Sequence, residues 1–353
     1  MNQTKDTNRI LWLDILRVAS ALAIVFIHTA SYIMGGLKYG GVNWFAADIY
    51  IAAARYAVPV FVMISGIFFL SPAKNITIKS IYTKYIFRIL TVLIGWALIR
   101  TLVVDAWLGG VPAAKLAASF WVSVKMYWFL PMIIGLYIIT PVFRAITAQN
   151  NKKLLEYFML ISFVFALCLP VAQAVWPTAL LADFITLIKL PMLIFGAHFV
   201  FGYYVYNYGV SKNVKYVLYV LAALSLLFMA WGTYAYYNEQ NSRVFYYAMH
   251  GSAVSPFAFL LGAGVFVLCK DVFENFKPGA AFISYTHKLA YCSLGIYMLH
   301  IIIVEAAARF GLFKILNFCS VITIALASAA IFLLSGLIIS LMYKVNPLKK
   351  YLL

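Results

Sequence analysis

The hydrophobic positions of this chain form long continuous runs separated by short polar segments. Each run reaches about 20 residues, the length that an α-helix needs to cross a hydrocarbon layer of roughly 30 Å. Polar and apolar positions do not alternate within the runs, which argues against the strands of a membrane barrel. The pattern predicts an all-α polytopic membrane protein with about ten transmembrane helices, built as one domain over residues 1–353. The predicted spans are Ile10–Ile33, Asp48–Leu70, Tyr85–Ala106, Tyr127–Thr147, Leu154–Ala174, Leu187–Tyr206, Val214–Tyr236, Ala253–Lys270, Leu289–Ala308 and Phe318–Tyr343.

Composition and charge support a membrane location and suggest an orientation. Hydrophobic residues make up 65% of the chain and charged residues 10%. The remaining polar surface is too small to cover a soluble protein of this size. Lysine and arginine concentrate in alternate connecting segments, so the positive-inside rule predicts that both termini are cytoplasmic. Anionic membrane lipids, and not nucleic acid, are then the expected partners of the net charge of +17. The four cysteines stand singly and predict neither a disulfide framework nor a metal site.

Charged and ionisable residues inside predicted spans are the main functional candidates, because such groups are costly in hydrocarbon. Arg17 and His28 are eleven positions apart in the first span, which places them within about 20° of one helix face and roughly 16 Å apart along its axis. Asp14 precedes Arg17 by three residues and is expected to pair with it. The partner of His28 must come from another helix, and the ninth span offers Tyr297 and His300 on one face.

Three further cations are expected within the hydrocarbon region, away from the ends of the spans: Arg55, Arg100 and Lys189. Arg55 and Arg100 are expected in the outer half of the membrane, where they would share a polar chamber with His28. Glu305 lies about 140° around the helix from His300 and so does not share its face. Among the other histidines, His198 is expected to make an interhelical hydrogen bond, whereas His250 and His287 are expected in loops. Motifs for dinucleotides, triphosphates, zinc hydrolysis and serine hydrolysis are absent from the sequence.

Five segments together resemble the membrane-bound acyltransferase-3 family, and in particular its short WecH-like O-acetyltransferases. The first carries the family's signature of a basic residue, ten intervening positions and a histidine, which Arg17 and His28 match. One departure is that Tyr85 stands where many members have the first arginine of an RxxR pair, so that Lys84 and Arg88 would take the place of that pair. The five segments are LDILRVASALAIVFIH at Leu13–His28, RYAVPVFVMISGIFFL at Arg55–Leu70, YWFLPMIIGLYIITPVFR at Tyr127–Arg144, FGYYV at Phe201–Val205 and GIYMLH at Gly295–His300.

The resemblance implies an enzyme of the bacterial inner membrane that uses a coenzyme A thioester, usually acetyl-CoA, from the cytoplasmic side. It also implies an acceptor at the outer side, which would be a lipid-linked or polymeric glycan of the cell envelope. The expected site residues follow from their positions in the spans and the matched segments. They are His28, Tyr297 and His300 for catalysis; Arg17, Lys84, Arg88 and Arg144 for the coenzyme; and Arg55, Arg100 and Trp128 for the acceptor.

Two chemical roles are open for His28: it is either a general base on the acceptor hydroxyl or a covalent carrier of the acyl group. Tyr297, His300, Arg55 or Arg100 would stabilise the developing oxyanion. The alternative function is a transporter or flippase, in which intramembrane arginine and histidine residues line a translocation path. A membrane scaffold without activity is a third alternative, although it gives no reason to align Arg17 with His28.

Overall fold

The structure is a computed structural model that describes residues 10–175, 193–238, 255–315 and 319–353. Within these ranges the chain is helical with short connections and no strand, which confirms the all-α class. Nine helical segments of the described ranges are long and apolar enough to cross a membrane. The first half contains α1 (Leu11–Met34), α2 (Val42–Ala54), α3 (Ala57–Leu70), α4 (Ile78–Trp107), α5 (Leu116–Met126), α6 (Phe129–Ala148) and α7 (Lys152–Val175). The second half contains α8 (Leu193–Tyr208), α9 (Lys212–Asn238), α10 (Pro256–Phe273), α11 (Ala280–Arg309), α12 (Leu312–Ile315), α13 (Ser320–Met342) and α14 (Asn346–Tyr351).

The predicted spans coincide with these helices, with several corrections at their ends. The predicted span Leu187–Tyr206 is seen from Leu193 onward as α8. Lys189 and His250 lie outside the described residues. The fourth helix begins at Ile78, earlier than predicted, and contains two π-helical turns, Ile81–Ile86 and Thr101–Trp107. Part of the segment predicted as a loop at 108–126 is helical and forms α5.

The second predicted span, Asp48–Leu70, consists of two helices that meet at Arg55 and Tyr56. Pro59 explains the break, because its ring nitrogen carries no hydrogen to donate to the carbonyl of Arg55 and the ring crowds that carbonyl. Both residues at the junction keep right-handed helical angles, so the chain bends without a loop. Arg55 therefore lies at the end of α2, where its side chain is buried.

The first helix is the centre of the bundle. It packs against α2, α3, α10, α11 and α13. Its buried apolar residues from Trp12 to Leu16 belong to one hydrophobic cluster, and most of those from Ala21 onward belong to a second. Residues along α1 are therefore surrounded by different sets of helices at its two ends.

The third and eighth helices approach each other closely at two glycines. A Cβ atom added at Gly66 would overlap the carbonyl of Phe199, and one added at Gly202 would overlap the carbonyl of Met63. Small residues at helix crossings let backbones meet in this way, which is a common basis for helix association in membranes.

Candidate active site

Arg17 lies in a small polar cluster near the N-terminal end of α1. Its Nη1 atom is 3.5 Å from Asp14 Oδ1, as the i, i+3 spacing predicts. The other oxygen of Asp14 is 2.7 Å from His287 Nδ1, on α11. His287 was expected in a loop, but α11 begins at Ala280, nine residues before the predicted start, and so carries this histidine within the helix. The cluster joins α1 to α11 and holds the Arg17 guanidinium through Asp14.

Arg17 also lines a cavity of about 160 Å³, called here the Arg17 cavity. Most of the lining is apolar and comes from α3, α4, α6 and α11. Four lining residues carry hydroxyl groups: Ser65, Tyr137, Ser293 and Tyr297.

Lys74 provides a second cation beside Arg17. The Arg17 guanidinium carbon is 5.6 Å from the centre of the Phe68 ring, and Lys74 Nζ is 4.3 Å from the same centre. Lys74 lies in the loop after α3, and burial lowers the pKa of its ammonium group. This pair of cations next to one ring could not be found from the sequence, because Lys74 looked like any other loop lysine.

His28 lines a different cavity, of about 240 Å³, called here the His28 cavity. The ring centres of His28 and His300 are 5.1 Å apart. Tyr297, one turn before His300, has its ring centre 5.9 Å from that of His300. Trp128, at the start of α6, also lines this cavity. The structure thus brings together His28, Tyr297, His300 and Trp128, four of the residues predicted to form the site.

The two cavities meet at Tyr297, which lines both. Its ring lies against Phe129, with ring centres 5.6 Å apart, and Phe129 lines the Arg17 cavity. On the His28 side, Tyr127 donates a hydrogen bond of 2.9 Å to the Met298 carbonyl and fixes the start of α6 against α11. Arg17 and His28 therefore do not line one shared cavity: they line two cavities, with Tyr297 in the wall between them.

The protonation of His300 follows from its hydrogen bond. Its Nδ1 is 3.1 Å from the Ile296 carbonyl, which can only accept, so Nδ1 carries the hydrogen. The Nε2 atom then has a lone pair. It is buried and has no hydrogen-bond partner in the described part of the chain. This lone pair is able to accept a hydrogen bond from a group in the His28 cavity, which His300 also lines.

Arg100 lies in a buried ion-pair network and lines none of these cavities. Its Nε and Nη2 atoms donate to Glu305 at 2.9 and 2.7 Å. Its Nη1 atom donates to Asp105 at 3.0 Å and to Ser123 at 2.8 Å. Tyr32 adds a hydrogen bond of 3.2 Å to Glu305. Because these donors are bound within the protein, Arg100 connects α4, α5 and α11. Glu305 holds Arg100 in place, a role separate from that of His300, which lies on another face of the helix.

The other predicted coenzyme-binding residues hold backbone groups or face outward. Arg144 donates to the carbonyls of Phe69 and Ser71 at 2.9 and 2.8 Å and so fastens the end of α3. Arg88 donates to the carbonyl of Leu353. Lys84 is exposed, with its ammonium 5.5 Å from the centre of the Tyr85 ring. None of these three residues lines the Arg17 cavity.

Arg55 opens into a third cavity, of about 620 Å³, called here the Arg55 cavity. From α1 this cavity takes Ile27 and Ser31, whereas His28 lines the His28 cavity. The predicted chamber shared by His28, Arg55 and Arg100 is therefore wrong, because α1 presents Ile27 and His28 to different cavities and Arg100 is engaged elsewhere. His198 also lies apart, packed against the edge of Phe259 with ring centres 4.9 Å apart.

Comparison with known families gives a match over nearly the whole chain. The family model Acyl_transf_3, described as an acyltransferase domain, matches residues 10–343. This range includes α1 to α13 and each residue of the three cavities. No curated protein and no solved structure shows significant similarity to the chain.

Proposed function

Because the chain belongs to the Acyl_transf_3 family and is a membrane acyltransferase, we propose that it transfers an acetyl group from acetyl-CoA to a hydroxyl of a cell-envelope sugar. The acceptor is a lipid-linked or polymeric glycan, as in the WecH-like O-acetyltransferases. The enzyme lies in the bacterial inner membrane with both termini in the cytoplasm. The observation that carries the proposal is the common wall at Tyr297, which puts the arginine and histidine of the signature on adjacent cavities.

The donor enters at the Arg17 cavity. Arg17 and Lys74 attract phosphate groups of the coenzyme, since both are cations at the same end of the bundle and contact one ring. The hydroxyl groups of Ser65 and Ser293 are available to the polar pantetheine arm inside the cavity. The thioester then reaches the wall at Tyr297, beyond which lies His28.

The acceptor hydroxyl meets the thioester in the His28 cavity. Neutral His28 takes the hydroxyl proton while the oxygen attacks the thioester carbonyl, and the tetrahedral oxyanion is stabilised by the Tyr297 hydroxyl. Collapse of this intermediate breaks the carbon–sulfur bond, and the thiolate takes the proton from His28. The products are the O-acetyl sugar and coenzyme A. The Nε2 lone pair of His300 accepts a hydrogen bond from the protonated ring of His28.

A covalent route uses the same residues. The acetyl group first moves to His28, coenzyme A leaves, and the hydroxyl then attacks the acetyl-imidazole. Acid quenching during turnover with labelled acetyl-CoA distinguishes the two routes, because only the covalent route leaves label on the protein.

The principal test is the rate of transfer by the purified His28→Ala variant. We expect turnover to fall by about 10²- to 10⁴-fold, the usual contribution of a general base, with normal expression and elution as a single species. His198→Ala is the matched control, because it removes a buried histidine from α8 that lines none of the three cavities. Wild-type turnover in His28→Ala would refute the catalytic role.

A second test separates donor binding from chemistry. Arg17→Gln and Lys74→Gln are expected to raise the KM for acetyl-CoA. Lys84→Gln is expected to leave it unchanged, because Lys84 lies by the Tyr85 ring and not by the Phe68 ring that Arg17 and Lys74 share. Membranes incubated with labelled acetyl-CoA report on the alternative function. A transporter or flippase would leave both glycan and protein unlabelled.

A further inference from the structure

The Arg55 cavity is the largest of the three described above and takes no part in the proposed chemistry. It lies at the end of the bundle opposite Asp14 and His287, between α1, α2 and α9. Ile27 lines this cavity, and the next residue of α1, His28, lines the His28 cavity. A ligand in the Arg55 cavity would therefore lie one residue away from His28 along α1 without touching it.

Arg55 and Ile51, on one face of α2, line the cavity. Asp48 lies on the same face, seven residues before Arg55, and does not line the cavity. Only 5% of Arg55 and 1% of Asp48 are exposed. Thr233 adds a hydroxyl from α9. The buried carboxylate offsets the charge of the guanidinium, and Arg55 and Thr233 present polar groups to the cavity, which suits a neutral ligand rich in hydroxyls.

The rim of the cavity is aromatic and is held in place by its own contacts. Tyr39 stacks on Tyr234 with ring centres 5.4 Å apart and donates a hydrogen bond of 2.7 Å to its carbonyl. Trp44 lies edge-on to Tyr39 at 5.0 Å and to Tyr237 at 5.8 Å. Tyr and Trp are also common at membrane surfaces, but an interfacial belt does not require a buried Arg55 and Asp48 beneath it.

We propose that the Arg55 cavity is a second glycan subsite, which binds one neutral sugar unit of the acceptor beside the unit that is acetylated. The apolar face of the sugar ring packs on the rim, Arg55 donates to its hydroxyl oxygens, and Thr233 completes the set. The proposal rests on a glycan being the acceptor. It implies that the enzyme recognises at least two neighbouring sugars, one in the Arg55 cavity and one in the His28 cavity.

The test is direct binding of neutral trisaccharides to the purified full-length protein by saturation-transfer NMR and calorimetry. The probes are trisaccharides of glucose, galactose, mannose and N-acetylglucosamine, with a galacturonic acid trisaccharide as the acidic comparison. We expect at least one neutral probe to bind better than the acidic one. Tyr39→Leu and Arg55→Lys should weaken that binding by about tenfold, as the loss of one good contact predicts. Tyr216→Leu, an exposed tyrosine outside the cavity, should leave it unchanged.

Titration with coenzyme A accompanies each variant as a measure of the folded donor site. Unchanged coenzyme A affinity together with weakened trisaccharide binding supports the subsite. Failure of every neutral probe to bind, preferential binding of the acidic probe, or equal binding by Tyr39→Leu and wild type overturns it. Trisaccharide binding by a protein that neither binds coenzyme A nor transfers acetyl groups would instead refute the proposed function and leave the cavity as a sugar site.

Discussion

Replacing Glu305 by alanine is expected to destabilise the fold while leaving the donor site unchanged. The carboxylate accepts two hydrogen bonds from Arg100, at 2.9 and 2.7 Å, and one from Tyr32 at 3.2 Å. The side chains of Arg100 and Glu305 are 6% and 9% exposed. Removing Glu305 leaves a buried guanidinium with Asp105 as its remaining anionic contact.

The expected loss follows from this burial. Removing one partner of a buried ion pair typically costs about 3–5 kcal/mol, because the other charge stays out of water. Glu305→Gln keeps the shape and one acceptor oxygen, so we expect a smaller loss of about 1.5–3 kcal/mol, the range for a hydrogen bond to a charged group. Glu274→Ala is the control, since Glu274 is half exposed and 3.9 Å from Lys270, and should cost less than about 1 kcal/mol.

Unfolding by SDS titration of the purified variants gives the free energies, and coenzyme A titration checks the donor site. The sequence suggested that Arg100 binds the acceptor, whereas the structure gives it a structural role. These two roles predict different results for Glu305→Ala. If Glu305→Ala unfolds within about 1 kcal/mol of wild type but raises the KM for the acceptor, the structural role of the network is refuted.

Three other variants test separate parts of the structure. Gly66→Ala is expected to cost about 1–3 kcal/mol from overpacking, whereas Gly135→Ala, with open space around it, should be neutral or stabilising; thermal melting of the two proteins compares them. Asp14→Asn should raise the KM for acetyl-CoA more than it lowers kcat, because it releases Arg17, and Asp14→Glu should restore part of the affinity. Arg144→Lys loses the planar fork that binds the carbonyls of Phe69, Ser71 and Lys74 and should lower the melting temperature without changing the KM for the acceptor.

Local helical geometry made the signature of α1 predictable. The alignment of Arg17 with His28 and the pairing of Arg17 with Asp14 depend only on residues of one helix, and both could be read from spacing. His300 and Tyr297 could be found for the same reason, since they share one face of α11. That these two faces meet, with His28 and His300 rings 5.1 Å apart, needed the structure.

Contacts between residues far apart in the chain could not be predicted from the sequence. Arg100 and Glu305 are 205 positions apart, so nothing local could show that the guanidinium is already bound. Arg144 holds backbone carbonyls, which every residue possesses and no pattern distinguishes. Pro59 did carry a local signal for the break at Arg55, because a proline inside an apolar run removes a helical hydrogen bond. His287 was misplaced because polar residues at the start of α11 resembled a loop.

The position of Tyr297 between the two cavities bears on whether protons can cross the membrane through the protein. Water that filled both cavities without interruption would give protons a path along the central helix. The Tyr297 ring, packed against Phe129, lines both cavities and is placed to interrupt such a path. On the proposed function, acyl transfer would then need no continuous column of water through the bundle.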